Sequence, residues 1–168
     1  PAALGWSRRP LHTTNLRGVW GRTKRWDYWA VQSGEFAVSA TLADIDLIGL
    51  AGVEWIDLGS HESGGRSVTT PLARGIDLPA GYECLNVVIP WSQKRFQFTS
   101  KHQGRRATGQ AVLGGRPVEF GGESGDAWGI LDVGRGRWPY RTNWNWGGGA
   151  GRSADGRHIA LQFGAKWT

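Results

Sequence analysis

The chain has few of the residues that most readily reveal a site. It contains one cysteine, no methionine and four histidines among its 168 residues. A single cysteine excludes an internal disulfide, which favours a reducing, cytoplasmic location over a secreted one. The histidines have no close mutual spacing and there is no cysteine pair, so we expect no metal site. No apolar run is long enough for a membrane-spanning helix, so we expect no integral membrane segment.

Long blocks of one charge are also missing. The 20 Lys and Arg residues exceed the 14 Asp and Glu residues, which gives a net charge of +6, but the cations are spread along the chain. This balance is compatible with a peripheral contact to an anionic membrane, whereas the lack of a Lys/Arg block leads us to expect no nucleic-acid partner. The segment GGGAG (147–151) lacks the Lys-Ser/Thr of a phosphate loop, and no Gly-x-Ser-x-Gly elbow is present.

Glycine and tryptophan are abundant, with 27 and 11 residues. Short alternating segments, typical of strands, recur between turns of Gly, Pro, Ser and Asp. In EFAVSATL one face of the predicted strand holds Phe36, Val38, Ala40 and Leu42. In GVEWIDLG one face holds Val53 and Trp55, and the other holds Ile56 and Leu58. In RHIALQFG one face holds Ile159, Leu161 and Phe163. We therefore predict one all-β, largely antiparallel domain over residues 1–168.

The turns between these segments are marked by glycine. GSHESGGRS (59–67) and PLARGIDLPAG (71–81) are predicted loops, while Gly114-Gly115 and Asp155-Gly156 are predicted hairpin turns.

The segment KRWDYWAV (24–31) carries aromatic side chains on both faces if it forms a strand. Trp26 and Tyr28 then share one face, and Asp27 and Trp29 share the other. Core packing and ligand binding both explain this pattern. A buried Asp27 needs a partner, for which the neighbouring Lys24 and Arg25 are candidates.

The segment ILDVGRGRWPYRTNWNW (130–146) combines aromatic rings with many hydrogen-bond donors. Alternation places Asp132, Gly134 and Gly136 on one face. Three uses fit: a structural ion pair between Asp132 and an arginine, an anion or sugar site built from Arg and Trp, or a protonated Asp132 that delivers a proton to an alkene or epoxide. Asp132 is thus the candidate catalytic acid, and the candidate ligand-binding residues are Trp26, Tyr28, Trp29, Arg135, Trp138, Tyr140, Arg141, Asn143, Trp144, Asn145 and Trp146.

The segments GWSRRP, KRWDYWAV, LDVGRGRWPYRTNWNWGGGAG and LQFGAKWT together resemble the bacterial proteins grouped as domain of unknown function 2804. Members of that family continue beyond the KWT motif, so the resemblance implies that this chain is either the N-terminal part of a longer protein or a member of a shorter lineage. The family is similar to calycin-like twin-barrel proteins such as hydroxyneurosporene synthase and tocopherol cyclase. It therefore implies a lipocalin-like antiparallel β-barrel, one of two, with an apolar ligand and no cofactor.

We therefore expect a lipid or isoprenoid-like molecule in the cavity of a β-barrel. An acid-catalysed hydration, cyclisation or isomerisation of the bound molecule is a further hypothesis. Asp132 would donate the proton, and the rings of Trp138 and Trp144 would stabilise the developing carbocation. The alternative is a carbohydrate-binding module with exposed tryptophan platforms, in which Asn143 and Asn145 bind sugar hydroxyls. A third explanation is that the tryptophans only fill core volume that the glycines leave empty.

Overall fold

The fold consists of β-strands joined by turns. The computed structural model describes residues 20–21, 23–78, 86–88, 97–103, 106–122, 125–137, 143 and 145–165. Over these residues the strands are β1 (Thr23–Gln32), β2 (Phe36–Asp44), β3 (Ile48–Asp57), β4 (Ser63–Pro71), β5 (Asn86–Val88), β6 (Gln97–Gln103), β7 (Arg106–Leu113), β8 (Arg116–Phe120), β9 (Trp128–Arg137), β10 (Asn145–Arg152) and β11 (His158–Ala165). The predicted all-β class is confirmed. In the described part of the chain, no helix has the length and apolar character needed to cross a membrane.

Nine strands form one sheet in the order β4-β3-β2-β1-β9-β7-β6-β5, with β8 paired to β7. Strands β10 and β11 form a separate two-stranded sheet. Every pairing is antiparallel, as predicted. Among the described strands no ladder joins the outer strands β4 and β5, so hydrogen bonding leaves the sheet open rather than closed into a barrel.

The hydrophobic core lies on one face of β1, β2 and β3. Alternate residues of these strands, Trp29, Val31, Val38, Ala40 and Val53, are each at most 5% exposed. This burial confirms the faces predicted for KRWDYWAV, EFAVSATL and GVEWIDLG, because a period of two puts every second side chain on the buried face.

The β7–β8 hairpin covers this face and completes the core. Leu113 and Phe120 of the hairpin are 0% and 2% exposed and belong to the same cluster as the strand residues. The predicted turn at Gly114-Gly115 is confirmed by positive φ angles of 56° and 87°. Arg116 follows this turn and pairs with Asp57 at 3.2 Å, which ties the hairpin to the end of β3.

Two glycine-rich segments form strands where the sequence predicted a loop or no strand. The prediction of a loop over 59–67 is wrong beyond Glu62, because β4 begins at Ser63 and pairs with β3. A Cβ at Gly64 would lie 2.9 Å from the Trp55 indole, so glycine lets that ring cross the neighbouring strand. The segment NWGGGAGR forms β10 despite its four glycines, and its turn to β11 contains Gly156 with a φ of 79°.

Candidate functional site

The face of β1–β4 opposite the core carries mostly small or polar side chains. Directly paired residues of an antiparallel ladder point to the same face, so the registers define rows across the four strands. Three of these rows are Tyr28, Thr41, Gly52 and Ser67; Ala30, Ser39, Glu54 and Gly65; and Gln32, Ala37, Ile56 and Ser63. Few bulky side chains therefore stand above this part of the sheet.

A groove of about 670 Å³ lies on this face. It is an open groove and not a sealed cavity, and its volume lies within the range of small-molecule sites. Its lining residues are Tyr28, Ala30, Ala37, Val38, Ser39, Glu54, Trp55, Ile56, Ser63, Gly64, Gly65, Arg66 and Ser67.

The groove combines an apolar floor with polar groups. Ala30, Ala37 and Ile56 supply apolar surface, and the hydroxyls of the lining serines can each donate and accept a hydrogen bond. Glu54 lies in the middle row, paired with Ser39 on one side and Gly65 on the other. Its carboxylate is an acceptor that favours a ligand carrying a hydroxyl or an ammonium group.

The β10–β11 hairpin stands beside the groove, over strands β1 and β9. The rings of Tyr28 and Trp146 meet edge to face, with centroids 5.7 Å apart and planes at 78°. The hairpin is also held at the far end of β9, where His158 meets Trp128 edge to face at 5.1 Å and Arg152 lies 5.9 Å above the same ring. Tyr28, a predicted ligand-binding residue, is thus a lining residue that the hairpin orients.

Asp132 lies one strand away from the groove, on the same face as Tyr28, its register partner. The indole Nε1 of Trp26 donates a hydrogen bond to Asp132 Oδ2 at 3.2 Å. Gly134 makes this bond possible, because a Cβ at that position would overlap the Trp26 ring. The predicted face of Asp132 and Gly134 is confirmed. The contact described at Asp132 is the hydrogen bond from the Trp26 indole. The ion pair with an arginine, one of the three uses that fit Asp132, stays a prediction, since the side chains of Arg135 and Arg137 lie outside the described part of the chain.

Two residues of KRWDYWAV face the core rather than the groove. Trp29 is 5% exposed and packs in the core cluster, and Asp27 is 3% exposed on the same face. Arg25, one of the two predicted partners of Asp27, forms an ion pair with Asp44. As a candidate ligand-binding residue, Trp29 therefore lies on the opposite side of the sheet from the groove.

The remaining candidates are described only in part. Asn143 and Asn145 are exposed, Trp146 is half-buried, and Arg135 lies in β9 opposite Arg25. Trp138, Tyr140, Arg141 and Trp144 lie outside the described residues. The structure thus brings Tyr28 and Trp146 together from the predicted set.

Several lining residues escaped the sequence reasoning. Glu54 and Ser39 sit between apolar residues in alternating segments, so their local signal is the ordinary polar face of a strand. Ser63 and Ser67 fell in a predicted loop. The apolar Ile56, on the same face as Glu54 in GVEWIDLG, was the local sign that this face differs from an ordinary solvent-exposed surface.

The described residues contain no group of three or more His, Cys, Asp or Glu side chains placed to hold a metal ion.

The family described as Domain of unknown function (DUF2804) matches residues 1–82 and 76–168. These two stretches together include the whole chain, and the resemblance of the KRWDYWAV and GRGRWPYRTNWNW segments is thereby confirmed. No curated protein and no solved structure is similar enough to the chain to count as a match. The protein belongs to the DUF2804 family.

Proposed function

We propose that this protein binds an amphipathic small molecule of lipid or isoprenoid type in the groove beside Tyr28. The observation that carries the proposal is the groove of about 670 Å³ and its mixed lining, with apolar side chains at the floor and hydroxyls and a carboxylate among them. Ligand sites in general combine mostly apolar walls with a few polar groups that fix orientation. The apolar part of the ligand lies on Ala30, Ala37 and Ile56, and its polar head meets Glu54.

The resemblance to calycin-like proteins supports the class of ligand in this proposal. The position that we propose for the ligand differs from the one found in those proteins. Lipocalin-type proteins hold their ligand inside the barrel. Here the space between the sheet and the β7–β8 hairpin is filled by Leu113, Phe120 and Trp29. The ligand of our proposal therefore lies on the other face of β1–β4.

The test fills the groove with one large side chain. Ala30→Trp places an indole on the floor, whereas Ala43→Trp, the matched control, places one on the same face outside the lining residues. We expect retinol, a fluorescent isoprenoid alcohol whose hydroxyl suits the Glu54 carboxylate, to bind the wild type and Ala43→Trp, and to lose binding in Ala30→Trp. Equal binding by both variants refutes the groove as the site, and circular dichroism checks that both variants are folded.

A carbohydrate ligand is the second candidate, because the groove is open and three serine hydroxyls line it. Binding of soluble glycans, with no binding of retinol, would favour this alternative. Glu54→Gln does not separate these two candidates but identifies the group that Glu54 binds, since it removes the charge and keeps an acceptor. A ligand that meets Glu54 through a hydroxyl then loses little affinity, whereas a ligand with an ammonium group loses its ionic partner.

Acid catalysis by Asp132 is an extension of the lipid proposal. Asp132 adjoins Tyr28 across the β1–β9 ladder but is not one of the lining residues of the groove. A substrate in the groove would therefore have to extend past Tyr28 towards β9 to receive a proton. Turnover measured with the wild type and Asp132→Asn tests this extension separately from binding.

A further inference from the structure

One end of the β1–β4 sheet exposes a cluster of large apolar side chains. At this end β1 and β3 begin and β2 and β4 end. The exposed fractions are 64% for Trp20, 39% for Ile45, 42% for Leu47, 46% for Ile48 and 52% for Leu72. We call these five residues the apolar tip.

Hydrogen bonds show that the members of the apolar tip are neighbours. The carboxylate of Asp46 accepts bonds from the backbone N–H groups of Gly21 and Thr23, at 2.7 and 2.9 Å, which holds the segment after Trp20 against the β2–β3 turn. The N–H of Leu72 donates to the carbonyl of Leu47 at 2.8 Å. Three chain segments thus present their apolar side chains together at one end of the sheet.

Backbone strain is concentrated at the same place. Asp46, Leu72 and Ala73 have φ angles of 63°, 54° and 50°, in the left-handed region. Asn and Asp tolerate this region through local hydrogen bonds, whereas leucine and alanine have no such compensation. An exposed leucine held in an unfavourable conformation benefits neither folding nor solubility, and strain of this kind clusters at functional sites.

Charges of both signs flank the apolar tip, and the net positive charge that favours an anionic surface is that of the whole chain. The carboxylate of Asp44 pairs with Arg25, and that of Asp46, which keeps its charge, accepts two backbone N–H bonds. Arg74 is exposed in the turn after β4, with Asp77 exposed three residues later. Over the whole chain the net charge is +6, which attracts the protein to anionic lipids over the range of a Debye length.

We propose that the apolar tip is a membrane-docking surface that inserts into the headgroup region of an anionic bilayer. Trp20 supplies the amphipathic ring that is enriched at such interfaces, and Leu47 and Leu72 supply side chains that reach the acyl boundary. A bilayer fits better than a second protein, because the apolar groups stand on three separate turns rather than in a groove or on a flat face. This surface lies at the opposite end of β1–β4 from the Tyr28 groove. The membrane-docking proposal does not depend on the function proposed for the groove.

Vesicle flotation tests the proposal. The full chain is mixed with phosphatidylcholine vesicles or with two-to-one phosphatidylcholine–phosphatidylserine vesicles. We expect flotation with the anionic vesicles, weakened by high salt. Leu72→Asn removes an inserted side chain and suits the left-handed backbone, so it should weaken membrane partitioning by about tenfold while leaving the fold as stable as the wild type or more so.

Leu161→Gln is the matched control, because Leu161 is a leucine of similar exposure, 65%, on the β10–β11 hairpin. It should float like the wild type. The proposal is wrong if Leu161→Gln weakens flotation as much as Leu72→Asn, or if the protein binds neutral and anionic vesicles equally. It is also wrong if the protein binds no vesicle. A second copy of the chain that covers the apolar tip would refute it too, and sedimentation velocity would then show a dimer that Leu72→Asn dissociates.

Discussion

Gly134→Ala should destabilise the protein through a single clash. Gly134 lies in β9 opposite Trp26 of β1, and the indole of Trp26 lies where an alanine methyl group would stand. The ring must therefore move, and its hydrogen bond to Asp132 must lengthen or break. The same substitution at Gly149 of β10 is the matched control, because nothing lies within 4 Å of a Cβ built there.

The expected magnitude follows from three terms. Overpacking costs about 1 to 3 kcal/mol. Loss of a hydrogen bond to a charged acceptor costs about 1.5 kcal/mol when the pair is partly exposed. Replacing glycine by alanine in a strand recovers about 0.5 to 1 kcal/mol. Gly134→Ala should thus lower the free energy of unfolding by about 1.5 to 4 kcal/mol, whereas Gly149→Ala should be neutral or slightly stabilising.

Urea denaturation followed by circular dichroism measures both free energies of unfolding. Trp26→Leu in the Gly134→Ala background should recover part of the loss, since the smaller side chain leaves room for the methyl group, and the double-mutant cycle then gives a favourable coupling. A Gly134→Ala protein as stable as Gly149→Ala would refute the reasoning. It would mean that the Trp26 ring adopts another position at little cost.

Two further predictions concern carboxylates. Asp132→Asn keeps an acceptor for the indole donor and should change the free energy of unfolding by less than about 1 kcal/mol, whereas Asp132→Ala should cost more. If Asp132 is the catalytic acid, turnover falls in both variants. Turnover of Asp132→Asn equal to that of the wild type rules the acid role out. The backbone N–H of Ser60, reinforced by Arg116, holds the pKa of Asp57 below its usual range. Asp57 therefore stabilises the fold above pH of about 4, and this contribution is lost as the pH falls through the lowered pKa. In an NMR titration, Arg116→Gln should raise the pKa of Asp57 only part of the way, because the Ser60 bond remains; an unchanged or fully normal pKa would contradict this ranking of causes.

The sequence was sufficient for the features that depend on local alternation. The buried faces of β1, β2 and β3 follow from a period of two in adjacent residues, and the turns at Gly114 and Gly156 follow from the need for positive φ. Strands β4 and β10 were missed because their glycines also suit turns. What makes them strands is pairing with a neighbour, as between Trp55 and Gly64, which no local pattern shows.

The candidate site could be predicted only in fragments, because its parts come from separate strands. Tyr28 was predicted from its aromatic neighbours, but Glu54 and Ser39 meet it only once three strands are in register. The contact between Trp26 and Asp132 spans 106 residues of sequence. Glycine is needed at position 134 because the Trp26 ring occupies the space of a side chain there. Registers between distant segments are set by the whole fold rather than by either segment.

The long separation between β1 and β9 also sets an order of events during folding. Strands β1–β4 are neighbours in sequence and can form a meander early, whereas the β1–β9 ladder must close a loop of about a hundred residues and is expected to form late. During synthesis, β1 is therefore an unpaired edge strand until β9 has emerged from the ribosome. Charged side chains discourage edge strands from pairing with other chains. Lys24, Arg25 and Asp27 lie among the aromatic residues of KRWDYWAV, so we expect their charges to oppose pairing of β1 with other chains until β9 covers its edge.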